Sequence, residues 1–409
     1  MHLPFVFLFA VLSYTVAQYP RPRSTDWMVD CGHGVFTHFL ADNRAANITT
    51  PDQWNALVDN FNVTALAQQL ANAGVCYHII TIGQNSGFYL APNPTYDSLT
   101  GYTSTTSKCA KRNLINDLAA AYAVYNIKLG VYLPSGAPCN DAQADTALNW
   151  TRSWPESIGG FNVSTGGYGS SGLDQWGVPW GMTGEQDPSR MIPFQYAWNS
   201  IVADWSQSFG NNIHAWWIDG MYWPTQMYDF NDEPNYKSFG QALRSGNDAA
   251  IVAFNPGQIA FVPIESCEQD FTAGETANHF ATPPMRRTGN CGVQYHLLSY
   301  LGQNWGQRGS LPRFTTDQVY NMTAAYVASQ WAITWDAPID DNGLIEQPFI
   351  DIFTALANIT KTVREKKIQF TKQELYQQFT AINSMLQENN KEDIHKVQPL
   401  LYSTMKYKE

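Results

Sequence analysis

Residues 75–82 read VCYHIITI, an apolar run rich in β-branched side chains that is typical of a buried strand. Residues 110–126 follow with a helical spacing of apolar positions, and residues 128–133, KLGVYL, form a second apolar run. Two strands joined by a helix in this way lie parallel in one sheet, with a right-handed crossover. This unit indicates the fold class because the same pattern recurs on both sides of it.

The pattern of strand and helix extends in both directions along the chain. Upstream, residues 34–40 (GVFTHFL) predict a first strand and residues 63–73 predict a helix. Downstream, strands are expected over residues 213–218, 250–255 and 331–335, and helices over residues 193–209, 234–245, 317–330 and 347–360. Repeated β-α units over about 340 residues favour a (β/α)8 barrel. No G-x-G-x-x-G follows the first strand, which argues against an open, doubly wound sheet.

The composition excludes several classes of protein. Of the 409 residues 44% are hydrophobic and only 14% are charged, and the formal net charge is −11. Such a chain can bury a large core, and it is neither disordered, nor a coiled coil, nor a basic nucleic-acid binder. Aromatic residues make up 14%, including 14 Trp. Together with the low charge they favour a protein that handles neutral, hydroxyl-rich ligands.

The two ends of the chain differ from its centre. Residues 3–12 form a short apolar run followed by the small residues Thr15 and Ala17, so residues 1–17 are expected to be a signal peptide. Residues 24–360 carry the β-α units and form the expected catalytic domain. Residues 361–409 hold 15 charged residues among 49, which predicts a mostly helical appendage. No run of alternating strands there predicts a C-terminal β-sandwich.

Cysteines and glycosylation sequons agree with a secreted or lysosomal protein. Six cysteines permit 15 pairings, and we expect the pairs that join neighbouring elements: Cys31–Cys76, Cys109–Cys139 and Cys267–Cys291. Six Asn-x-Ser/Thr sequons occur, at Asn47, Asn62, Asn149, Asn162, Asn321 and Asn358. No stretch after the signal peptide approaches 18 apolar residues, so no membrane span is expected.

The strongest chemical motif is WWIDG at residues 216–220, where an apolar strand runs directly into an acid and a glycine. In a barrel this order places Asp219 at the carboxyl end of a strand, where catalytic groups lie. Nearby aromatic residues, among them Trp217 and Trp223, are typical of sugar sites, where C–H faces pack on aromatic rings. A carboxylate there can attack an anomeric carbon. The alternative is an aspartate that caps the next helix.

Glycoside hydrolysis also needs a carboxyl group that acts as acid and base. The downstream candidates are Glu265, Glu268, Asp270 and Glu275, and spacing alone does not choose among them. His38 ends the first strand and can donate to a substrate hydroxyl, or it is a satisfied core histidine. The remaining histidines show no metal-ligand spacing, so neither a metal nor a cofactor is expected.

In combination these motifs resemble glycoside hydrolase family 29, the α-L-fucosidases. GVFTHF at residues 34–39 resembles the family's GLFIHWG segment, and WIDG at residues 217–220 is similar to its WFDG nucleophile motif. Further stretches follow in the family's order at residues 111–114 (KRNL), 130–132 (GVY), 270–275 (DFTAGE), 295–306 and 341–344 (DNGL). The resemblance covers residues 27–360.

The resemblance implies a retaining mechanism in which Asp219 is the nucleophile and Glu275 is the acid and base. Their carboxyl groups are then expected about 5–5.5 Å apart. The side chains expected to contact the sugar are His38, Gln84, Asn85, Tyr132, Trp217, Trp223, Asn255 and Trp305.

The chain departs from the family at two places that contact the sugar. Where the family's second strand ends in KHHDGF, residues 83–88 read GQNSGF, so Gln84 and Asn85 replace two histidines. An arginine that some members carry after the fifth strand appears here as Pro256. We therefore expect a secreted retaining exo-glycosidase that removes a terminal deoxysugar, or a related sugar, from glycans. The alternative is a catalytically weak or inactive relative that binds glycans through the same pocket.

Overall fold

The structure is a computed structural model. It describes residues 23–44, 46–136, 138, 140–150, 190–221, 227–258, 262, 264–277, 280, 287–288, 291–366, 377, 380–381 and 383–384. The expected signal peptide, Cys139, Asn162, Trp223 and most of the expected C-terminal appendage lie outside these residues.

The described chain alternates strands and helices as the sequence predicts. The strands are β1 (His33–Thr37), β2 (Tyr77–Thr81), β3 (Lys128–Pro134), β4 (Ala215–Asp219), β5 (Ile251–Phe254), β6 (Arg287–Thr288), β7 (Val293–Gln294), β8 (His296–Tyr300) and β9 (Ala332–Asp336). The helices are α1 (Asp26–Cys31), α2 (Pro51–Asp59), α3 (Val63–Asn72), α4 (Pro94–Thr100), α5 (Leu114–Ala123), α6 (Ala142–Ala147), α7 (Ile192–Phe209), α8 (Tyr236–Leu243), α9 (Thr316–Ala328), α10 (Gln347–Leu356) and α11 (Ile359–Lys366).

Seven strands form one sheet in the order β5-β4-β3-β2-β1-β9-β8, and every neighbouring pair is parallel. The register pairs Val35 of β1 with His78 of β2, and Tyr132 of β3 with Trp217 of β4. Strands β6 and β7 form a separate antiparallel ribbon. Parallel neighbours joined by helical crossovers bring all their carboxyl ends to one side of the sheet.

An extended segment, residues 270–276, joins the two edges of this sheet. The backbone N–H of Asp270 donates to Val252 O of β5 at 2.8 Å. On the other side, Leu298 of β8 donates to Gly274 O at 2.9 Å and accepts from Thr276 N at 2.9 Å. The segment occupies the position of an eighth strand between β5 and β8. The sheet is thereby curled into a fold of the (β/α)8 type, which confirms the fold class predicted from the sequence.

Aromatic residues fill the interior of the barrel. The ring of Phe36 on β1 lies 5.8 Å from Tyr132 of β3 and 6.0 Å from Trp217 of β4, contacts that cross between strands that are not neighbours. Gly34 leaves the space for Tyr77, because a Cβ at that position would overlap its ring. The outer faces of the strands pack on the helices through other large side chains, such as Trp216. The core therefore has an inner and an outer layer.

Two of the three expected disulfides are present, Cys31–Cys76 and Cys267–Cys291, with Cα atoms 5.9 and 5.4 Å apart. Cys109 is buried and forms no disulfide with a described residue. Its expected partner, Cys139, lies outside the described part of the chain. The described sequon asparagines share exposure to solvent: Asn47, Asn62, Asn149, Asn321 and Asn358.

The single helix expected over residues 347–360 is two helices, α10 and α11. The break falls at Asn358, whose φ of 64° is left-handed and ends a regular helix. Helix α11 runs across residue 361, the expected start of the appendage, and buries Val363 in the outer core. Among the described residues, no helix combines the length and the apolar character needed to cross a membrane.

Candidate active site

Polar side chains from neighbouring strands meet at the carboxyl end of the barrel. His38 directly follows β1, Gln84 follows β2, Tyr132 belongs to β3, Asp219 ends β4 and Asn255 directly follows β5. Because the strands are parallel and in register, the topology brings these side chains to one mouth. The extended segment of residues 270–276, the closing segment, adds a further carboxyl group, Glu275, which forms a β-bridge with Leu298 of β8.

Asp219 accepts hydrogen bonds at both of its carboxylate oxygens. The Tyr132 hydroxyl donates to Oδ2 at 2.6 Å, while the Gly220 N–H and the Asn255 amide each donate to Oδ1 at 2.8 Å. Gly220 has a φ of 74°, a left-handed conformation that favours glycine and turns the chain directly after the acid. Together these donors fix the orientation of the Asp219 carboxyl group.

The alternative role for Asp219, a cap of the following helix, can be examined only for α8, because residues 222–226 lie outside the described part of the chain. Helix α8 begins at Tyr236. Its N-cap is Asn235, whose side chain accepts a hydrogen bond from the Ser238 N–H. Asp219 instead forms the hydrogen bonds at the barrel mouth.

Glu275 is the second carboxyl group at the mouth. The Asn255 amide donates to its Oε2 at 2.6 Å and the Gln258 amide donates to its Oε1 at 3.2 Å. Burial raises the pKa of Glu275 above its usual range, and the negative charge of Asp219 raises it further. The two amide donors act in the opposite direction and lower it. The net effect is a raised pKa that favours the protonated form of Glu275.

One nitrogen connects the two carboxyl groups. Asn255 Nδ2 donates to Asp219 Oδ1 and to Glu275 Oε2. Since these bonds measure 2.8 and 2.6 Å, the two oxygens cannot lie more than about 5.4 Å apart, the sum of the two distances. The carboxyl groups are therefore direct neighbours across the mouth.

Two of the other acids considered from the sequence, Asp270 and Glu265, have different surroundings. Asp270 is buried, forms an ion pair with Arg244 at 2.7 Å and accepts from the Val252 N–H, so it ties the closing segment to β5. Burial and the neighbouring Asp229 raise the pKa of Glu265 to about 7, and no described residue forms a hydrogen bond with its buried Oε1. Of the four candidates, Glu275 alone shares a described hydrogen-bonding partner with Asp219.

On the opposite side of the mouth, Asp336 binds His38. The expectations drawn from the sequence did not include Asp336. This fully buried residue ends β9, and its Oδ1 lies 2.8 Å from Nδ1 of His38. Its Oδ2 accepts from the Gly306 N–H at 2.7 Å. A proton on Nδ1 of His38 therefore points at Asp336, which leaves Nε2 for another partner. The signal that could have identified Asp336 is the one that identified Asp219, an apolar strand that ends in an acid.

The two tryptophans that are described among the expected sugar contacts differ in burial. Trp217 is 2% exposed, stacks on Tyr132 at 5.5 Å and donates to Ala273 O, so it supports the site from within the barrel. Trp305 is half-buried, and its ring lies 6.1 Å from that of His38. Its buried indole N–H has no hydrogen-bond partner in the described part of the chain. Within that part, the indole of Trp305 is thus an unsatisfied donor beside the mouth.

The replaced histidine pair makes contacts within the protein. The Gln84 amide donates to the Tyr132 hydroxyl at 2.7 Å, and that hydroxyl in turn donates to Asp219. The backbone carbonyl of Asn85 accepts from the Asn140 N–H at 2.9 Å. Gln84 therefore belongs to the hydrogen-bond chain of the carboxylate. Gln258, which donates to Glu275, is a further site residue that sequence reasoning missed, since nothing in its local pattern marks it.

Among the described residues, no three His, Cys, Asp or Glu side chains come together as metal ligands. The arrangement at the mouth consists of two adjacent carboxyl groups, fixed amide and phenol donors, an oriented imidazole and an indole. Such a set can perform acid–base and nucleophilic chemistry on a hydroxyl-bearing substrate without a bound ion.

No family model and no curated protein matches this chain. Several solved structures do match it. The endo-fucoidan hydrolase P5AFcnA of glycoside hydrolase family 107 has a TM-score of 0.58 and 14% identity, with 84% of this chain and 95% of that chain covered. α-L-Fucosidase isoenzyme 1 of Paenibacillus thiaminolyticus has a TM-score of 0.50 and 17% identity, with 83% and 75% covered.

The α-L-fucosidase AlfC of Lactobacillus casei, solved with its α-L-fucose product, has a TM-score of 0.50 and 14% identity, with 83% of this chain and 98% of that chain covered. Identities this low establish the fold. The chain thus has the fold that α-L-fucosidases and the endo-fucoidan hydrolases of family 107 share, and the resemblance recognised in the sequence is confirmed at that level.

Proposed function

We propose that this protein is a secreted retaining glycoside hydrolase of the α-L-fucosidase type, with Asp219 as nucleophile and Glu275 as acid and base. The observation that carries the proposal is the bond of one Asn255 nitrogen to both carboxyl groups. It keeps Asp219 Oδ1 and Glu275 Oε2 within about 5.4 Å of each other, which supports a retaining pair, whose carboxyl groups stand about 5–5.5 Å apart. An inverting pair stands about 6.5–9.5 Å apart, because a water must fit between the general base and the sugar.

In the first step the Asp219 carboxylate attacks the anomeric carbon, and the bond to the leaving oxygen breaks. Glu275 gives its proton to that oxygen, so the leaving group departs as a neutral alcohol. The raised pKa of Glu275 supports this role, because the group keeps its proton towards neutral pH. The product of the step is a glycosyl ester on Asp219 and an ionised Glu275.

In the second step Glu275 accepts a proton from water, and the water oxygen attacks the anomeric carbon. The ester bond breaks, Asp219 leaves as a carboxylate and the anomeric configuration is retained overall. The donors from Tyr132, Gly220 and Asn255 favour this departure, since they stabilise the returning negative charge. The two steps leave both carboxyl groups in their starting protonation states.

Recognition of the sugar falls to the other side of the mouth in this proposal. Nε2 of His38 and the indole N–H of Trp305 are available to pair with sugar hydroxyls. The structural relatives are named as enzymes that act on fucose or fucoidan, which supports a terminal deoxysugar such as fucose as the substrate. Removal of a single terminal sugar, rather than internal cleavage, rests on the sequence resemblance to the α-L-fucosidases.

Passage through the secretory pathway, to the outside or to the lysosome, is part of the proposal. Two disulfides support it, because such bonds persist in oxidising compartments. The exposed asparagines of the described sequons agree with it, since they are accessible for glycosylation. Mass spectrometry of the protein from culture medium tests this part through the mass of the attached glycans.

Replacement of the proposed nucleophile tests the function directly. We expect the wild-type protein to hydrolyse aryl α-L-fucosides, or a related aryl glycoside, with retention of configuration seen by NMR. The substitution Asp219→Ala should lower kcat by on the order of 10⁴-fold. Added azide should restore turnover and form a glycosyl azide, because it takes the place of the missing carboxylate.

The matched control is Asp351→Ala, which removes an exposed acid on α10. It should retain wild-type activity. Unchanged activity of Asp219→Ala, or a product of inverted configuration from the wild-type enzyme, would exclude the proposed mechanism.

The second candidate is a weakly active or inactive protein that binds glycans in the same pocket. The observation that favours it is the hydrogen bond of Gln84. This residue occupies the place of a family histidine, and its amide donates to the Tyr132 hydroxyl. Binding of fucosylated glycans by the wild-type protein, measured by calorimetry without detectable hydrolysis, would support this candidate over the enzyme.

A further inference from the structure

The orientation of the Asn255 amide is fixed on every side. Asn255 is fully buried, its backbone N–H donates to Ile218 O at 2.7 Å, and its backbone carbonyl accepts from the Met221 N–H at 3.0 Å. Its Oδ1 accepts from the Gly257 N–H at 3.2 Å. Only Nδ2 can then face the carboxyl groups, because a flipped amide would set Oδ1 against two carboxylate oxygens and face the Gly257 N–H with another donor.

The two hydrogens of Nδ2 are used by two different carboxyl groups. One goes to Asp219 Oδ1 at 2.8 Å and the other to Glu275 Oε2 at 2.6 Å. Two carboxylates this close repel each other, and burial strengthens the repulsion. A donor shared between them offsets part of it, because a hydrogen bond to a carboxylate stabilises its charged form.

Within the described part of the chain, the other hydrogen bonds to the pair each come from a group that bonds one of its members. From β3, Tyr132 donates to Asp219, and from the loop after β5, Gln258 donates to Glu275. At the carboxyl ends of β1 and β9 the ionisable groups are His38 and Asp336, which pair with each other. Among the described residues, Asn255 is therefore the group whose side chain bonds both carboxyl groups.

We propose that Asn255 is a positioning residue that holds the two carboxyl groups at reacting distance and sets, for both at once, the pH range in which they share a single proton. This inference rests on the proposed function and assigns to Asn255 a role other than contact with the sugar. In this role the neutral amide of Asn255 influences both the acid limb and the alkaline limb of the pH–activity profile.

The test compares pH profiles of kcat/KM, whose two limbs report the ionisation of Asp219 and of Glu275. In Asn255→Ala both carboxylates lose a donor, so both limbs should move to higher pH by on the order of one unit. Two matched variants each remove one single-sided donor. Tyr132→Phe should move mainly the acid limb and Gln258→Leu mainly the alkaline limb, both to higher pH.

A lower kcat/KM in folded Asn255→Ala with both limbs unmoved would overturn the inference, because a structural role alone predicts that result. If the alanine variant does not fold, Asn255→Ser replaces it. The serine hydroxyl donates a single hydrogen, so it can serve one carboxyl group and should move the limb of the other. A serine profile identical to that of the wild type would equally overturn the inference.

A measurement without substrate separates this inference from the proposed function. The infrared band of a protonated carboxyl group, assigned to Glu275 by its loss in Glu275→Gln, gives the pH at which the proton leaves. That pH should be higher in Asn255→Ala than in the wild type. Wild-type protein that hydrolyses no glycoside but shows this rise would refute the proposed function and retain the role of Asn255. If the wild-type protein is an active enzyme but Asn255→Ala does not raise the pH at which Glu275 loses its proton, the role of Asn255 is refuted.

Discussion

The two sides of the barrel mouth differ in how far their polar side chains are hydrogen-bonded within the protein. On the side of β3, β4 and β5, protein donors already bind the proposed reacting groups, as Tyr132 and Asn255 do for Asp219. On the side of β1 and the loop after β8, the buried N–H of Trp305 has no partner among the described residues, and only one ring nitrogen of His38 faces a described acid. For the proposed enzyme, the difference implies that the reacting groups are organised before the substrate binds, whereas recognition is completed by the ligand.

The sequence differs between the two sides in a related way. The family resemblance retains the segments that carry Asp219 and Glu275, while the histidine pair is replaced by Gln84 and Asn85. Gln84 then joins the catalytic side, because its amide donates to Tyr132. In the proposed enzyme, a change at a position expected to contact the sugar has thus become a change in the support of the nucleophile.

Removal of the acid and base should give the largest effect and should fall on the catalytic side alone. We expect Glu275→Gln to lower kcat/KM by about 10³-fold for substrates with poor leaving groups. Aryl substrates that leave without protonation should be affected far less. Measurement of kcat/KM across aryl glycosides of graded leaving-group pKa checks this expectation.

The pH dependence of the same variant has a definite sign. The wild-type enzyme needs a protonated Glu275, so its activity should fall as pH rises through the pKa of that group, which lies above the usual carboxyl range. Glu275→Gln has no proton to lose, so this alkaline limb should disappear while the acid limb remains. Retention of the alkaline limb in Glu275→Gln would assign the acid role to another residue.

On the recognition side, Asp336→Asn should give an intermediate effect of about 10²-fold in kcat/KM. The Gly306 N–H requires an acceptor, so the new amide would direct its NH₂ at Nδ1 of His38 and force that ring to the other tautomer. Kinetics in a His38→Ala background provide the control. Asp336→Asn should add little there, because its effect acts through His38. An equal loss in both backgrounds would show a general structural effect.

The smallest effect should come from Gln84→Glu, the position where the two sides meet. A glutamate accepts a hydrogen bond from Tyr132 instead of donating one, so the phenol proton turns away from Asp219. We expect kcat/KM to fall by about tenfold and the acid limb to move to higher pH. Gln68→Glu, which adds the same charge on the exposed face of α3, is the matched control. An unmoved acid limb would mean that Gln84 does not support the nucleophile.

The sequence predicted the barrel and marked Asp219 as the proposed nucleophile because both depend on local patterns. Runs such as residues 128–133 are apolar enough to identify a strand, and Asp219 directly follows such a run. Strand β8, His296–Tyr300, was missed because a stretch of five residues with polar ends carries no clear period. The closing segment was missed as well, since its pairing depends on the backbone of β5 and β8 on either side.

Contacts between distant segments lay beyond sequence reasoning. Spacing did not distinguish Glu275 from Asp270, whose ion pair with Arg244 depends on the packing of α8 against β5. The partner of Gln84 is 48 residues away along the chain, so its choice of Tyr132 over a sugar hydroxyl emerges only from the folded sheet. Local pattern identifies the strands and their terminal acids, and tertiary structure determines their partners.

The segment that closes the barrel is also the one that carries Glu275. Its hydrogen bonds to β5 and β8 replace those of a regular strand, and the disulfide Cys267–Cys291 links the chain just before it to the chain just before β7. In an enzyme that acts through Glu275, the step that closes the barrel also brings the acid into the active site. A newly made chain whose barrel is still open is then inactive, so hydrolysis of a glycoside measures directly whether the chain has completed its fold.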